Sequence, residues 1–394
     1  MNTPPLAGVT VVALEQAVAA PFATRQLADL GARVIKIERP GAGDFARAYD
    51  TQVRGIASHF AWLNRSKESL TLDIKHAESA EILRRLLERA DVFMHNLAPG
   101  AVERIGLGAE ALRARFPRLI TCAISGYGTS GSYQRKKAYD LLVQGETGFL
   151  SITGTADAPA KAGISVADVA GGMYAYSGIL TALLRRHQTG EGSALEVSLF
   201  EALGEWMGYP AYYTMYGGAA PLRTGASHAT IVPYGPFPTG DGNTVYFGVQ
   251  NDREWQRFCA IVLERPALAG DDRFVSNASR VVHRAELHAI IDELFATLSA
   301  EQVIERLERA DIANGRMNTV QQFVEHPQLD ARNRWRDVGS PVGMLKALIP
   351  PVTIDGVEPV MNPIPALGEH TESILRELAF DSETISSWRR RGVI

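Results

Sequence analysis

The chain has 394 residues, 46% hydrophobic and 21% charged, with a formal net charge of −4 and a sequence pI near 6.2. That length allows two or three domains with sizeable cores, and the mildly acidic balance with scattered basic residues argues against a nucleic-acid partner. Cys122 and Cys259 make neither a CxxC pair nor a disulfide framework, no basic leader precedes an apolar run, and the longest uncharged run, Val169 to Leu184, is too short and polar for a membrane span. A cytoplasmic location is expected.

VTVVAL (9–14) reads as a buried strand, PFATRQLADLG (21–31) as a helix with proline in its first turn and glycine at its stop, and RVIKIER (33–39) as the next strand. GAGDF (41–45) after it reads as a plain loop. SLTLDIK (69–75), VFMHN (92–96), LITCAIS (119–125) and LEVSL (195–199) add strands, and AESAEILRRLLERA (77–90) has apolar residues at helical spacing. This alternation predicts a parallel α/β architecture. From Asp168 to about Leu184 the pattern predicts a helix apolar on nearly every face, stopped by TGEGS (189–193). MGYPAYYTMYGGAAP (207–221) reads as a linker or irregular crossing segment, and YGPFPTGDGNTVYFGVQ (234–250) as a hairpin turning at GDG. Residues 252–312 read as mainly helical, and GEHTESILRELAF (368–380) as a final helix. The polar tail beyond it carries RRR (389–391), read as solvated.

Several chemistries lack their signatures. No GxGxxG follows the first strand and no Walker A loop exists, so a bound NAD or ATP is not expected; nor is there an HExxH or a GxSxG elbow. His95, at a strand end, reads as a satisfied structural histidine. Asp168 in ISVADVAGGMYAYSGILTALL (164–184) has two readings. Ser165-x-x-Asp168 matches a capping box, while the start of a helix also favours an ionised carboxylate that could act as a nucleophile. Gly171 and Gly172, costly in a helix at ~1 kcal/mol each, point to close approach by another backbone or a ligand.

ADVAGGM with its long helix, RVIKIERPGAGDFAR, SLTLDIK, HNLAPGAVERIGLG, ISGYGTSG and TGEGSALEVSLFEAL occur in this order. Together they resemble the class III CoA-transferases, the group of formyl-CoA transferase and the carnitine CoA-transferase, from about residue 6 to the GEHTESIL helix. The resemblance implies a doubly wound, Rossmann-like large domain (residues 1–205 and, after a return linker, the end of 331–394), a linker at 206–224, a smaller α+β domain at 225–330, and an interlocked homodimer. It places Asp168 on the nucleophilic aspartate, which would pass through a mixed anhydride and an aspartyl-CoA thioester with no metal or cofactor beyond the CoA thioester substrate. It carries the CoA contacts to Val18, Ala19, Arg39, Leu72, Lys75, Asn96, Leu97, Ala98, Arg104, Lys137, Ala138, Tyr139 and Asp140. Arg39, Lys75, Arg104 and Lys137 would supply cations for the CoA phosphates.

The related α-methylacyl-CoA racemases carry a histidine where this chain has Tyr139, a poor base near neutral pH, so transfer is preferred to racemisation. A non-catalytic acyl-CoA-binding protein is the third reading. SHATIVPYGPF (227–237) holds a single glycine where formyl-CoA transferase has a glycine-rich loop over its aspartate. In this the chain resembles more the members that handle branched or dicarboxylic acids. The expected donor is succinyl-CoA and the expected acceptor a C5 dicarboxylate such as itaconate, mesaconate or citramalate, with Arg47 or Arg223 facing its second carboxylate.

Overall fold

Six short segments pair in parallel as β1 (Thr10–Leu14), β2 (Arg33–Glu38), β3 (Lys67–Thr71), β4 (Val92–His95), β5 (Ile120–Ser125) and β6 (Ala194–Ser198); β1, β2 and β4 are mostly buried, and β6, at the sheet edge, is half-exposed. The structure, a computed structural model, describes residues 3–394. The strand order is β3-β2-β1-β4-β5-β6, with Val12 of β1 opposite both Ile35 and Phe93. Strand order therefore reverses between β1 and β4. In open α/β sheets, ligands bind at the crevice outside the strand ends at such a point.

The chain divides into two compact units. The first contains the sheet and comprises the residues up to Thr147, Ala162–Met207 and Leu329–Ile394. On one face of its sheet, Val12, Ile35, Leu70 and Phe93 pack with Ile82, Leu83, Leu86 and Leu87 of the helix Ser79–Glu88. The C-terminal segment completes this core: the RRR run is exposed, as read, but the tail that carries it is a helix, Ser382–Arg390, that buries Ile385 and Trp388, and Val393 is buried beyond it. Apolar residues three apart gave that helix one inward stripe, which its arginines mask in the composition. Arg391 pairs with Glu78 at 2.6 Å.

The second unit comprises Gly148–Lys161 and Gly208–Gln328. Its antiparallel strands β7 (Tyr234–Pro238), β8 (Thr244–Gly248) and β9 (Asn314–Arg316) cover a core of Phe237, Phe247, Trp255, Phe258 and Phe295. The expected hairpin is present, with Pro238 opposite Thr244. Of the segment read as a linker or irregular crossing, Gly208–Gly217 forms a helix; Pro210 falls in its first turn, where a missing N–H costs no helical bond. No helix among the described residues is long and apolar enough to cross a membrane.

Candidate active site

Asp168 is the third residue of the helix Val166–Thr189. The helix buries one stripe of mainly small residues: Ala167, Ala170, Gly171, Gly172, Ala175, Ile179 and Ala182. It is not apolar-buried all round, since Tyr174 and Leu184 are exposed. A Cβ on Gly172 would come within 2.6 Å of the Ala19 carbonyl oxygen, and one on Gly171 within 2.5 Å of Leu199 Cδ2. The glycine pair thus makes room for protein, the Gly172 contact being backbone. It lets the Asp168 helix close on the helix Ala19–Asp29, which starts at the end of β1.

The expected capping box does not form. Ser165 is the N-cap residue but its side chain caps nothing. Its place is taken by Asp140, whose Oδ1 accepts from the backbone nitrogens of Ala167 at 2.8 Å and Asp168 at 3.4 Å. Asp140 is fixed in turn by Gln144, whose Nε2 donates to its Oδ2 at 2.6 Å while its Oε1 accepts from Ala162 N at 3.0 Å. A carboxylate at a helix start normally enjoys the positive end of the dipole. Here burial, and then the neighbouring Asp140 charge, push Asp168 the other way, up to about 7.

The sequence reading missed two further groups. Tyr49 stacks edge-on against His59, with centroids 5.5 Å apart; burial and the charges of Asp44 and Asp168 raise its phenol above the ordinary value. Asp44, in the segment read as a plain loop, is fully buried and paired with Lys36 at 2.7 Å. Only its Asp-to-Ala46 capping pattern was visible locally; the lysine partner lies on a strand whose apolar neighbours hide it.

A cleft opens at the carboxyl ends of β1 to β4, lined by Leu14, Glu15, Gln16, Ile37, Glu38, Arg39, Gly43, Asp44, Leu72, Ile74 and Leu97. Of the residues expected to touch CoA it brings together Arg39, Leu72 and Leu97. Val18 and Ala19 are buried beside it, at the start of the helix Ala19–Asp29. Asn96 is near but occupied: its Oδ1 accepts from Gln16 N at 2.9 Å and its Nδ2 donates to Gln16 O at 2.8 Å. Ala98 and Arg104 are exposed on the segment after β4, and Lys75 on the one after β3. Lys137 and Tyr139 are exposed and Ala138 half-buried ahead of Asp140, with Ala138 packed against Gly126. Among the described residues, Arg39, Lys75, Arg104 and Lys137 form no ion pair, which leaves four cations available to an anionic ligand.

The two arginines expected to face an acceptor are already engaged. Arg47 donates twice to Glu38, at 2.8 Å each, and lies 3.7 Å over the Phe60 ring. Arg223 donates to the carbonyls of Thr155, Ala156 and Ser151 within the second unit. His95 is not the satisfied histidine expected: its Nδ1 is buried without a partner, and burial holds the ring down to about 4, hence neutral. Among the described residues no cluster of His, Cys, Asp or Glu could hold a metal ion.

Residues 6–371 match the family model described as CoA-transferase family III. The chain belongs to CoA-transferase family III. It is 34% identical to a succinate–glutarate CoA-transferase of Agrobacterium fabrum, over 95% of this chain and 96% of that one. It is 33% identical to a succinyl-CoA:mesaconate CoA-transferase of Haloarcula hispanica, again over 95% and 96%. A crystal structure of a CaiB/BaiF family protein from Brucella suis superposes with a TM-score of 0.82 at 33% identity, covering 96% of this chain and all of that one. The transferase is thus an enzyme of acyl-CoA and carboxylate exchange, and the cleft and Asp168 are read in that light.

Proposed function

We propose that the transferase moves CoA from succinyl-CoA to a C5 dicarboxylic acid, with Asp168 as the nucleophile and no cofactor beyond the thioester. The observation that carries this reading is the setting of Asp168: a carboxylate at a helix start, desolvated and beside a second carboxylate, so that its charged form is destabilised and reactive. The Asp168 carboxylate attacks the succinyl thioester carbon; the C–S bond breaks, leaving a succinyl-aspartyl anhydride and CoA thiolate. The thiolate then attacks the Asp168 acyl carbon, releasing succinate and leaving an aspartyl-CoA thioester. The acceptor carboxylate attacks that thioester, and CoA thiolate finally takes the acceptor's acyl carbon, returning Asp168 as carboxylate. Each exchange is divided into two acyl transfers between groups of similar reactivity.

The donor and the five-carbon acceptor are supported by the named relatives, which act on succinate with glutarate and on succinyl-CoA with mesaconate. Glutarate joins itaconate, mesaconate and citramalate as a candidate of that size and charge. Arg39, Lys75, Arg104 and Lys137 are assigned to the CoA phosphates, and Val18, Ala19, Leu72, Leu97, Ala98, Ala138 and Tyr139 to its contacts. A cytoplasmic homodimer of interlocked chains, divided near residues 206–224 and 331, goes with this reading.

Intact mass after incubation with succinyl-CoA tests it: the wild type gains a CoA adduct and the Asp168→Asn variant does not. An adduct that persists in Asp168→Asn overturns the assignment. A panel of dicarboxylic acids then identifies the acceptor by the acyl-CoA formed. Deuterium exchange at an α-carbon without an acceptor would mark a racemase instead, and binding of CoA with neither reaction a non-catalytic protein.

A further inference from the structure

Five ionisable side chains are buried together beside β1: Glu15 just after β1, Lys36 and Glu38 on β2, Asp44 in the loop after β2, and Lys67 at the start of β3, none more than 3% exposed. Lys67 Nζ lies 2.6 Å from Glu15 Oε1, and Lys36 Nζ lies 2.7 Å from Asp44 Oδ2 and 3.4 Å from Glu15. Buried ion pairs add little over apolar residues of the same shape. Their placement therefore calls for a positional explanation.

Asp44 is where the network reaches the backbone. Besides Lys36, its two oxygens accept from Ala17 N at 3.0 and 3.2 Å, and its Oδ1 accepts from Ala46 N at 2.9 Å. Ala17 has φ of 62°, the left-handed region that a Cβ disfavours, and its methyl group has no means of holding itself there. One residue earlier, Asn96 closes both the N–H and the C=O of Gln16. The Gln16–Val18 turn is thus suspended between the loop after β2 and the segment after β4, at the reversal of strand order, and Gln16 lines the cleft.

The geometry points to Asp44, aligned by Lys36, and Asn96 as positioning residues that hold the Gln16–Val18 turn in the shape that forms one wall of the acyl-CoA cleft. This rests on the reading of that cleft as the CoA site. It moves Asn96 from a ligand contact to a support.

The test is the double variant Lys36→Met/Asp44→Leu, which removes the pair without leaving a lone buried charge and keeps Glu15 with Lys67. Melting temperature, the Kd for free CoA by calorimetry, and KM and kcat with succinyl-CoA are read together. The fold should persist while Kd and KM rise about tenfold and kcat changes less than about threefold. Adding Ala17→Gly to this background should recover about threefold or more of the binding, because glycine takes up the left-handed turn without a clamp. Unchanged Kd and KM in the folded double variant overturn the positioning role. So does a loss of binding that only follows a lowered melting temperature and that Ala17→Gly does not restore. A wild type that neither binds CoA nor turns over succinyl-CoA fails at the earlier step and overturns both readings.

Discussion

The ionisation of Asp168 yields the sharpest prediction. Only the carboxylate attacks a thioester, so kcat/KM for succinyl-CoA follows the ionised fraction in the free enzyme. With Asp168 held at about 7, that fraction is about one half at pH 7, about 10% at pH 6 and about 1% at pH 5, each tenfold step being about 1.4 kcal/mol. An aspartate at its ordinary 3.8 would give a flat profile over the same range. Initial rates at low succinyl-CoA from pH 5 to 9, at constant ionic strength, should therefore fall about ninetyfold between pH 8 and pH 5. Because burial is the larger cause and Asp140 the second, Asp140→Asn should move the limb toward acid but leave it well above the ordinary value. Stability supplies a second readout with a fixed sign. Asp168 is raised in the folded state, so its contribution is intact below the unfolded value and is lost as pH rises through about 7. The Asp168→Asn variant should then exceed the wild type in urea stability at pH 8, by up to about 4 kcal/mol, and match it near pH 4. A flat rate profile between pH 5 and 7, or an Asp140→Asn limb that moves upward, would refute this reasoning.

Other outcomes follow from the packing and charge. Gly172→Ala sets a Cβ 2.6 Å from the Ala19 carbonyl oxygen and 2.9 Å from Phe22 Cδ1; it should cost about 1–3 kcal/mol in urea unfolding, and lower kcat because Asp168 lies one turn away. Burial alone would raise Glu38, yet Arg47 and Lys36 outweigh it and hold it down at about 2. Its share of stability, about 3 kcal/mol, is present above 4.5 and lost as pH falls toward 2, and a Glu38→Gln/Arg47→Met variant should show a shallower loss in acid unfolding. Arg39→Met should raise KM for succinyl-CoA several-fold with kcat nearly unchanged, and should flatten the dependence of KM on salt, since Arg39 is exposed and free of carboxylate partners.

The central strands were legible because parallel strands buried on both faces read as continuous apolar runs, and the half-exposed edge strand β6 because its residues alternate. VTVVAL, RVIKIER, VFMHN, LITCAIS and LEVSL coincide with β1, β2, β4, β5 and β6 within two residues at either end. β3 was read as 69–75 and runs from Lys67 to Thr71. The error has a cause: Lys67 and Ser69 turn inward to Glu15 and Glu38, so the strand begins on polar residues that alternation scoring treats as outside. Asp168 could be found locally, but its environment could not. Asp140 stands 28 residues away, and nothing in KAYDLLVQG announces that its carboxylate would displace Ser165 as the cap. The clamp on Ala17 was equally hidden, because it joins three loops through residues each unremarkable in its own segment.

The double duty of Asp140 has a consequence for the reaction path. The same carboxylate that anchors the start of the Asp168 helix also repels the Asp168 charge. Converting that charge into a neutral anhydride or thioester removes the repulsion but leaves the anchor in place. The resting enzyme is then the tense form and the acylated enzyme the relaxed one, so the covalent intermediates should be the better-ordered states of the cycle, with a higher melting temperature than the free protein.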